Sequence, residues 1–262
     1  MASVPPDDVL TRTSDATDAV LRYAAHGDGL IDVHLPADVR RPVPLVVYVH
    51  GGFWREAFDR THARPLANAL ASDGVAVASV EYRRGPDAWS RTSSDLDAAL
   101  TALPGLLDGL GVRTTTTTFV GHSAGGHLVL WLANEPHPAD RVVALAPVGD
   151  LRFAAETGMG SGATVDFLGG TPAAVPEVYD AADPATRMTT RPVCEVVVVH
   201  GDRDDVVPVE TSHRLAARHP WLDLRELPDA DHFDVIDPVS PAWPAVRSAV
   251  TDSPSRRIGS GR

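Results

Sequence analysis

Lysine is absent from this chain of 262 residues, so the 23 side chains counted as Lys or Arg are all arginine. They face 35 acidic residues, and the formal net charge is −12. A surface of this sign does not attract nucleic acid or an anionic membrane, and we expect neither as a partner. Solubility is a sufficient reason for the acidic balance.

Cysteine and long apolar runs are also scarce. Cys194 is the single cysteine, so no disulfide can form within the chain. No stretch approaches the ~18 consecutive apolar residues of a membrane span. Residues 1–8 carry neither the basic nor the apolar part of a secretory signal. These absences lead us to expect a cytoplasmic protein.

The length and composition are those of one large globular domain. Hydrophobic residues make up 44% of the chain and charged residues 22%, values typical of soluble proteins. Residues 1–18 are polar and predict a flexible lead or a surface helix, and residues 253–262 predict a disordered tail. The folded domain is therefore expected over residues 19–252.

Strand-like and helix-like segments alternate along this domain. Strands are predicted over residues 20–23, 30–35, 45–49, 75–82, 114–119, 141–146, 193–199 and 222–227. Helices are predicted over residues of about 60–72, 92–110, 128–134, 209–218 and 241–251. This order predicts an α/β fold with a doubly wound, mostly parallel sheet of about eight strands.

The first two strands differ from the others. Residues 26–29, His-Gly-Asp-Gly, join them and predict a hairpin turn. Residues 30–35 alternate apolar and polar side chains, which is typical of an antiparallel strand at the edge of a sheet.

Residues 149–190 interrupt the alternation of strands and helices. They are rich in glycine and proline and contain no evident strand. Because segments of this length in compact domains are usually functional, we interpret them as a cap inserted over the strand ends. A plain surface excursion is the alternative.

Residues 121–125, Gly-His-Ser-Ala-Gly, connect a predicted strand to a predicted helix. This context is typical of a nucleophile elbow, in which the turn is so tight that only small residues fit two positions either side of the serine. Gly121 and Gly125 satisfy that requirement. Ser123 is therefore predicted to be an exposed nucleophile at the start of a helix, where negative charge is favoured.

A serine hydroxyl needs a base, and the base needs a carboxylate to orient it. Of the 11 histidines, His232 is preferred because it lies in a polar loop after the last strand. The acid is sought among Asp202, Asp204 and Asp205, in one loop after the preceding strand. Asp204 is favoured because residues 205–208 lead into the next helix; Asp205 is the next candidate.

Stabilisation of an oxyanion requires N–H groups that are already in place. Residues 50–54, His-Gly-Gly-Phe-Trp, follow a buried strand, and we assign the backbone N–H groups of Gly52, Phe53 and Ala124 to this role. Trp54 and His122 are candidates for substrate binding, although Trp54 could instead pack beneath the loop. The remaining histidines match no metal motif, so we expect neither a metal nor a cofactor.

The segments at the predicted strand ends resemble those of the α/β-hydrolase superfamily, and specifically its esterase and kynurenine formamidase (arylformamidase) branch near the hormone-sensitive-lipase group. The similar segments are residues 50–54, 121–128, 200–208 and 231–234, together with the leading hairpin at 23–36. The acid-loop pattern His-Gly-x-x-Asp-x-x-Val-Pro falls on Asp204. Phe53 replaces the third glycine of the lipase-type motif, which favours the formamidase-like side.

The resemblance covers residues of about 19–250. It implies an α/β-hydrolase fold and hydrolysis of a small carboxylic ester or N-formyl arylamide through an acyl-enzyme on Ser123. The alternatives are an acyltransferase or cyclase that uses the same acyl-enzyme, and a catalytically inactive binding protein on the same scaffold. The expected partner is a small-molecule substrate, and the expected assembly is a monomer or a homodimer.

Overall fold

The structure is a computed structural model that describes residues 7–12 and 14–252. Its strands are β1 (Ala19–Arg22), β2 (Leu30–His34), β3 (Val43–Val49), β4 (Ala76–Val80), β5 (Thr114–His122), β6 (Arg141–Leu145), β7 (Glu195–Gly201) and β8 (Asp223–Leu227). Its α-helices are α1 (Asp7–Thr11), α2 (Arg64–Ser72), α3 (Trp89–Gly109), α4 (Ala124–Leu132), α5 (Leu151–Glu156), α6 (Met159–Leu168), α7 (Pro176–Ala182), α8 (Pro184–Arg187), α9 (Glu210–Arg218) and α10 (Trp243–Thr251). Two short 3-10 helices occupy Arg60–Ala63 and Asp234–Ile236.

All eight strands form one sheet in the order β1-β2-β4-β3-β5-β6-β7-β8. Strands β3 to β8 are parallel, whereas β2 pairs antiparallel with β1 and with β4. The prediction of a doubly wound, mostly parallel sheet with a leading hairpin is confirmed. The carboxyl ends of the parallel strands meet at one edge, where ligands bind in folds of this type.

The core lies on both faces of the sheet. Alternate residues of β3 belong to different hydrophobic clusters, with Val47 and Val49 on one face and Val46 and Tyr48 on the other. This follows from the two-residue period of a strand. A sheet covered on both faces needs apolar residues at successive positions, which explains the continuous apolar run of β3.

The expectation that residues 30–35 form an edge strand is wrong. β2 lies between β1 and β4, and the observed edges are β1 and β8. The polar positions of β2 are buried rather than solvated: the Asp32 carboxylate accepts hydrogen bonds from Arg60 Nε at 2.7 Å and Arg64 Nη2 at 3.0 Å. A buried carboxylate is tolerated because two arginines pair with it.

Part of the predicted flexible lead packs against the domain. Val9 on α1 is only 4% exposed and belongs to one of the two hydrophobic clusters. Arg12 pairs with Asp237 in the loop before α10. Residues 7–11 form a helix, one of the two predicted alternatives, and residues 9–12 are part of the packed structure. Residues 1–6 of the lead and the tail predicted at 253–262 lie outside the described residues.

Residues 149–190 contain helices α5 to α8 and, as predicted, no strand. Helix α6 approaches the loop after β3: a Cβ built on Gly160 would lie 2.7 Å from the ring of Phe53. Arg55 donates a hydrogen bond to the Gly160 carbonyl. The inserted segment therefore stands beside the carboxyl ends of the strands.

Within residues 7–12 and 14–252, no helix is long and apolar enough to cross a membrane. The same residues contain no group of three or more His, Cys, Asp or Glu side chains that could hold a metal ion. The expectation of a protein without metal or cofactor stays a prediction.

Candidate active site

Ser123 occupies a strained turn between β5 and α4. Its backbone angles are φ 55° and ψ −116°, a region that residues with a side chain rarely adopt. A Cβ on Gly121 would lie 2.1 Å from the Gly125 carbonyl oxygen, and a Cβ on Gly125 would lie 2.0 Å from that of Val49. Both positions must therefore be glycine. Helix α4 starts at Ala124 rather than near residue 128, so Ser123 is its N-cap.

Asp204 and His232 meet at the ends of β7 and β8. His232 Nδ1 donates a hydrogen bond of 2.6 Å to Asp204 Oδ2, and both residues are buried. The other carboxylate oxygen, Oδ1, accepts from the backbone N–H groups of Val206 and Val207 at 2.9 and 2.7 Å. The backbone after Asp204 thus turns its carboxylate back toward the histidine.

The two competing aspartates lie elsewhere. Asp205 is exposed. Asp202 accepts a hydrogen bond from the Asp229 N–H at 2.7 Å and braces the loop after β8. Of the three acidic candidates, only Asp204 contacts His232 within the described residues.

The charge state of Asp204 is set by competing effects. Burial alone raises the pKa of its carboxyl, but hydrogen bonds from His200 and His232 outweigh burial and hold the pKa well below its ordinary value. Asp204 is therefore a carboxylate near neutral pH, as a group that orients and supports an imidazolium must be.

Ser123 and His232 line one cavity of about 170 Å³. The residues around it are Leu10, Gly52, Phe53, Arg55, Phe58, His62, His122, Ser123, Val206, His232 and Phe233. The part of the chain that the structure describes contains no hydrogen bond between the Ser123 hydroxyl and His232. In enzymes without bound substrate such contacts are often long, and they tighten when substrate is bound.

The loop after β3 has an unusual backbone. Gly52, Phe53 and Trp54 all have positive φ, at 108°, 49° and 53°. This conformation leaves the N–H groups of Gly52 and Phe53 without an acceptor among residues 7–12 and 14–252, and the same holds for the N–H of Ala124. Unpaired N–H groups around a cavity are suited to bind negative charge.

A buried pair of hydrogen-bonded side chains, His50 and Glu81, lies next to this loop. His50 Nε2 lies 2.8 Å from Glu81 Oε1, and His50 Nδ1 donates to the Gly51 carbonyl at 2.8 Å. Burial alone raises the pKa of Glu81, but the contacts with His50 and Arg84 lower it to about 2. Glu81 was not predicted as a site residue, because it sits in a predicted buried strand and nothing in the pattern marks its partner.

Trp54 and His122, the two candidates for substrate binding, have different positions. Trp54 is 1% exposed and stacks on Phe167 of α6 with ring centroids 4.6 Å apart, so it packs beneath the loop. His122 lines the cavity, and its Nε2–H donates to the backbone carbonyl of His232 at 2.9 Å. Burial and the nearby His232 hold the pKa of His122 well below 6.5, so its ring is neutral.

Comparison with known proteins agrees with this architecture. The profile of the BD-FAE family matches residues 31–219. Esterase LipC of Mycobacterium tuberculosis is 27% identical over 256 residues, which cover 82% of this chain and 60% of LipC. The kynurenine formamidase of Drosophila melanogaster is 31% identical over 133 residues, covering 49% of this chain and 42% of that enzyme. The chain thus spans about half the length of these relatives.

A solved structure shows the same fold. Esterase B from Lactobacillus rhamnosis aligns with a TM-score of 0.76 and 22% identity, covering 92% of this chain and 87% of the esterase. The resemblance to α/β hydrolases of the esterase and formamidase type is confirmed. The profile match over most of the chain, together with the eight-stranded sheet, shows that this protein belongs to the BD-FAE family and has the α/β-hydrolase fold.

Proposed function

We propose that the protein is a serine hydrolase that cleaves a small carboxylic ester or N-formyl arylamide through an acyl-enzyme on Ser123. The observation that carries this proposal is the hydrogen bond between His232 and Asp204 beside the cavity of the strained Ser123. In this arrangement Ser123 is the nucleophile, His232 the general base and Asp204 the residue that orients His232.

The first half of the reaction forms the acyl-enzyme. His232 Nε2 takes the proton of the Ser123 hydroxyl while Oγ attacks the carbonyl carbon of the substrate. The negative charge that develops on the carbonyl oxygen is accepted by the N–H groups of Gly52, Phe53 and Ala124. The bond to the leaving oxygen or nitrogen then breaks, and the leaving group takes the proton from His232.

The second half regenerates the enzyme. A water molecule gives a proton to His232 and attacks the acyl carbon, and the same N–H groups stabilise the second oxyanion. The bond between Ser123 Oγ and the acyl carbon breaks, Oγ recovers the proton from His232, and the acid product leaves. Through both halves Asp204 stays a carboxylate and balances the charge on the imidazolium.

The size and lining of the cavity support a small substrate. Its volume is about 170 Å³, and several of the side chains that line it are apolar. LipC is an esterase and the Drosophila relative is a kynurenine formamidase, which makes an ester and a formamide the two substrate classes to compare. We therefore propose a small molecule as the partner.

The test compares wild type, Ser123→Ala and the matched control Ser94→Ala, which alters an exposed serine on α3. Substrates are N-formyl-L-kynurenine and the acetate, butyrate and laurate of p-nitrophenol. We expect Ser123→Ala to lower kcat by roughly 10⁴- to 10⁶-fold while its circular dichroism stays that of wild type. The control should keep full activity.

Other outcomes exclude the proposal in recognisable ways. Near-normal turnover by Ser123→Ala overturns the assignment of the nucleophile. Products acylated on an added amine or alcohol, in place of free acid, indicate an acyltransferase. A wild-type protein that no fluorophosphonate probe labels at Ser123 is an inactive scaffold.

A further inference from the structure

Helix α1 lies between the two 3-10 helices that flank the cavity. Val9 of α1 shares a hydrophobic cluster with Ala63 of the first 3-10 helix and with Val235 of the second. The cavity wall includes His62, from the first 3-10 helix, and Phe233, which directly precedes the second. Leu10 of α1 is the third member of this side of the wall.

An ion pair ties α1 to the loop that carries His232. Arg12 donates two hydrogen bonds to Asp237, one from Nη1 to Oδ1 and one from Nη2 to Oδ2 at 2.8 Å. A bidentate pair of this kind fixes the relative orientation of the two side chains in addition to pairing their charges. Asp237 directly follows the second 3-10 helix, and its side chain is only 10% exposed.

The chain that follows α1 is also attached. Asn68 on α2 donates hydrogen bonds to the Ser14 hydroxyl and to the Asp15 carbonyl. The position of Leu10 is thus fixed by the apolar packing of α1 and by the polar contacts of the residues that follow α1. A wall with these attachments has a defined position relative to Ser123.

We propose that α1 forms a wall of the substrate cavity and that Leu10, positioned by the Arg12–Asp237 pair, limits the length of the substrate chain that fits beside Ser123. This inference rests on the proposed function. A smaller side chain at position 10 opens space for additional methylene groups, and a larger one removes it. In an apolar pocket one methylene group changes the specificity ratio by ~10-fold or more.

The first test varies residue 10. The activities of wild type, Leu10→Ala and Leu10→Phe are measured on p-nitrophenyl acetate, butyrate, octanoate and laurate, and on acetates of alcohols of increasing length. In one of the two series, Leu10→Ala should raise the ratio of kcat/KM for long over short chains by about ten-fold, and Leu10→Phe should lower it. Leu110→Ala, at an exposed leucine after α3, is the control.

The second test breaks the pair between Arg12 and Asp237. Arg12→Gln and Asp237→Asn should shift the chain-length ratio in the direction of Leu10→Ala and raise KM more than they lower kcat. Arg247→Gln breaks a comparable surface pair with Asp73 and should change neither quantity. Arg12 is proposed to act through Leu10. The double variant Leu10→Ala/Arg12→Gln should therefore change the logarithm of the chain-length ratio by less than the sum of the changes in the two single variants.

Failure of this inference is distinguishable from failure of the proposed function. Alkyl fluorophosphonates of short and long chain report the size of the cavity through their rate of labelling at Ser123. In one outcome the probes label Ser123 with a chain-length preference that stays within about two-fold of wild type in both Leu10→Ala and Leu10→Phe. That result overturns the role of Leu10 and leaves the proposed function intact. Absence of labelling in wild type overturns both.

Discussion

His200 Nε2 lies 3.2 Å from Asp204 Oδ2, the same oxygen that accepts the hydrogen bond of His232. This nitrogen also faces the Val207 carbonyl at 2.8 Å, so it carries a proton. The other ring nitrogen, Nδ1, lies 2.7 Å from the Ser212 hydroxyl, which donates to it. A second imidazole therefore supports the carboxylate that orients His232.

Substitution of His200 by phenylalanine keeps a buried ring but removes the donor to Asp204. Since a hydrogen bond to a charged group contributes about 1.5 to 3 kcal/mol, we expect kcat to fall about ten- to a hundred-fold. KM should change little, because the orientation of His232 affects the reaction at Ser123 and not the binding of substrate. Steady-state rates measure both quantities.

Two variants test whether this effect is specific. Ser212→Ala should lower kcat by a smaller factor, because it removes only the hydrogen bond that fixes the tautomer of His200. His219→Phe replaces another buried histidine, which contacts the Ala185 carbonyl, and should leave kcat unchanged. An unaltered kcat in His200→Phe would contradict a role for His200 in positioning Asp204.

Glu81 is expected to act through the loop that carries Gly52 and Phe53. Glu81→Gln removes the charge that faces His50 and loosens the support of that loop. If the loop stabilises charge only in the transition state, kcat should fall about ten-fold with little change in KM. Glu226→Gln, which alters a surface carboxylate paired with His213, is the control. A rise in KM without loss of kcat would instead place the effect on substrate binding.

Gly125 and Gly105 provide a matched pair for the packing of the elbow. Alanine at position 125 would place its Cβ 2.0 Å from the Val49 carbonyl oxygen, whereas nothing lies within 4 Å at position 105 in α3. Gly125→Ala should lower the free energy of unfolding by about 3 kcal/mol or more. Gly105→Ala should raise it by about 0.5 to 1 kcal/mol because alanine favours a helix. Urea unfolding measures both, and equal stability of the two variants would contradict this account.

Asp183 makes the stability of the inserted segment depend on pH. It is fully buried and accepts hydrogen bonds from the backbone N–H groups of Leu151, Arg152 and Ala185. Burial raises its pKa from 3.8 to about 6, in spite of those bonds. The folded state therefore holds the proton more tightly than the unfolded state, and Asp183 stabilises the fold more below about pH 4 than above about pH 6.

The free energy of unfolding of wild type, measured relative to Asp183→Asn, should consequently fall by roughly 2 to 3 kcal/mol as the pH rises from 4 to 7. The comparison with the variant removes the contribution of the other titrating groups. Asp180→Asn changes an exposed carboxylate on α7, the helix that ends directly before Asp183, and should track wild type. Equal pH dependence in Asp183→Asn and wild type would show that Asp183 does not titrate in this range.

Much of the geometry of the candidate site could be predicted because its signals are local. The tight turn at Ser123 requires small residues at fixed spacing, and the acid loop places Asp204 within a short pattern next to a strand end. The buried strands carry continuous apolar runs, so their positions were predicted within a few residues. Each of these features depends on neighbours in the chain.

What could not be predicted depends on partners distant in sequence. Asp32 alternates with apolar residues as an edge strand would, and only its pairing with Arg60 and Arg64 allows it to be buried. Val9 and Leu10 are two apolar residues in a polar segment, too few to show a period. Their burial follows from surfaces that form more than fifty residues away, around His62 and Phe233.

The order of the sheet has a consequence for how the protein recovers activity after denaturation. Ser123, Asp204 and His232 follow β5, β7 and β8, and β6 lies between the first two of these strands. The serine and the histidine therefore come together only after three parallel pairings of long sequence separation have formed. Contacts of this kind require costly loop closure and develop slowly. Return of the proposed hydrolysis during refolding should lag behind return of the helical circular dichroism signal, because it requires the completed sheet.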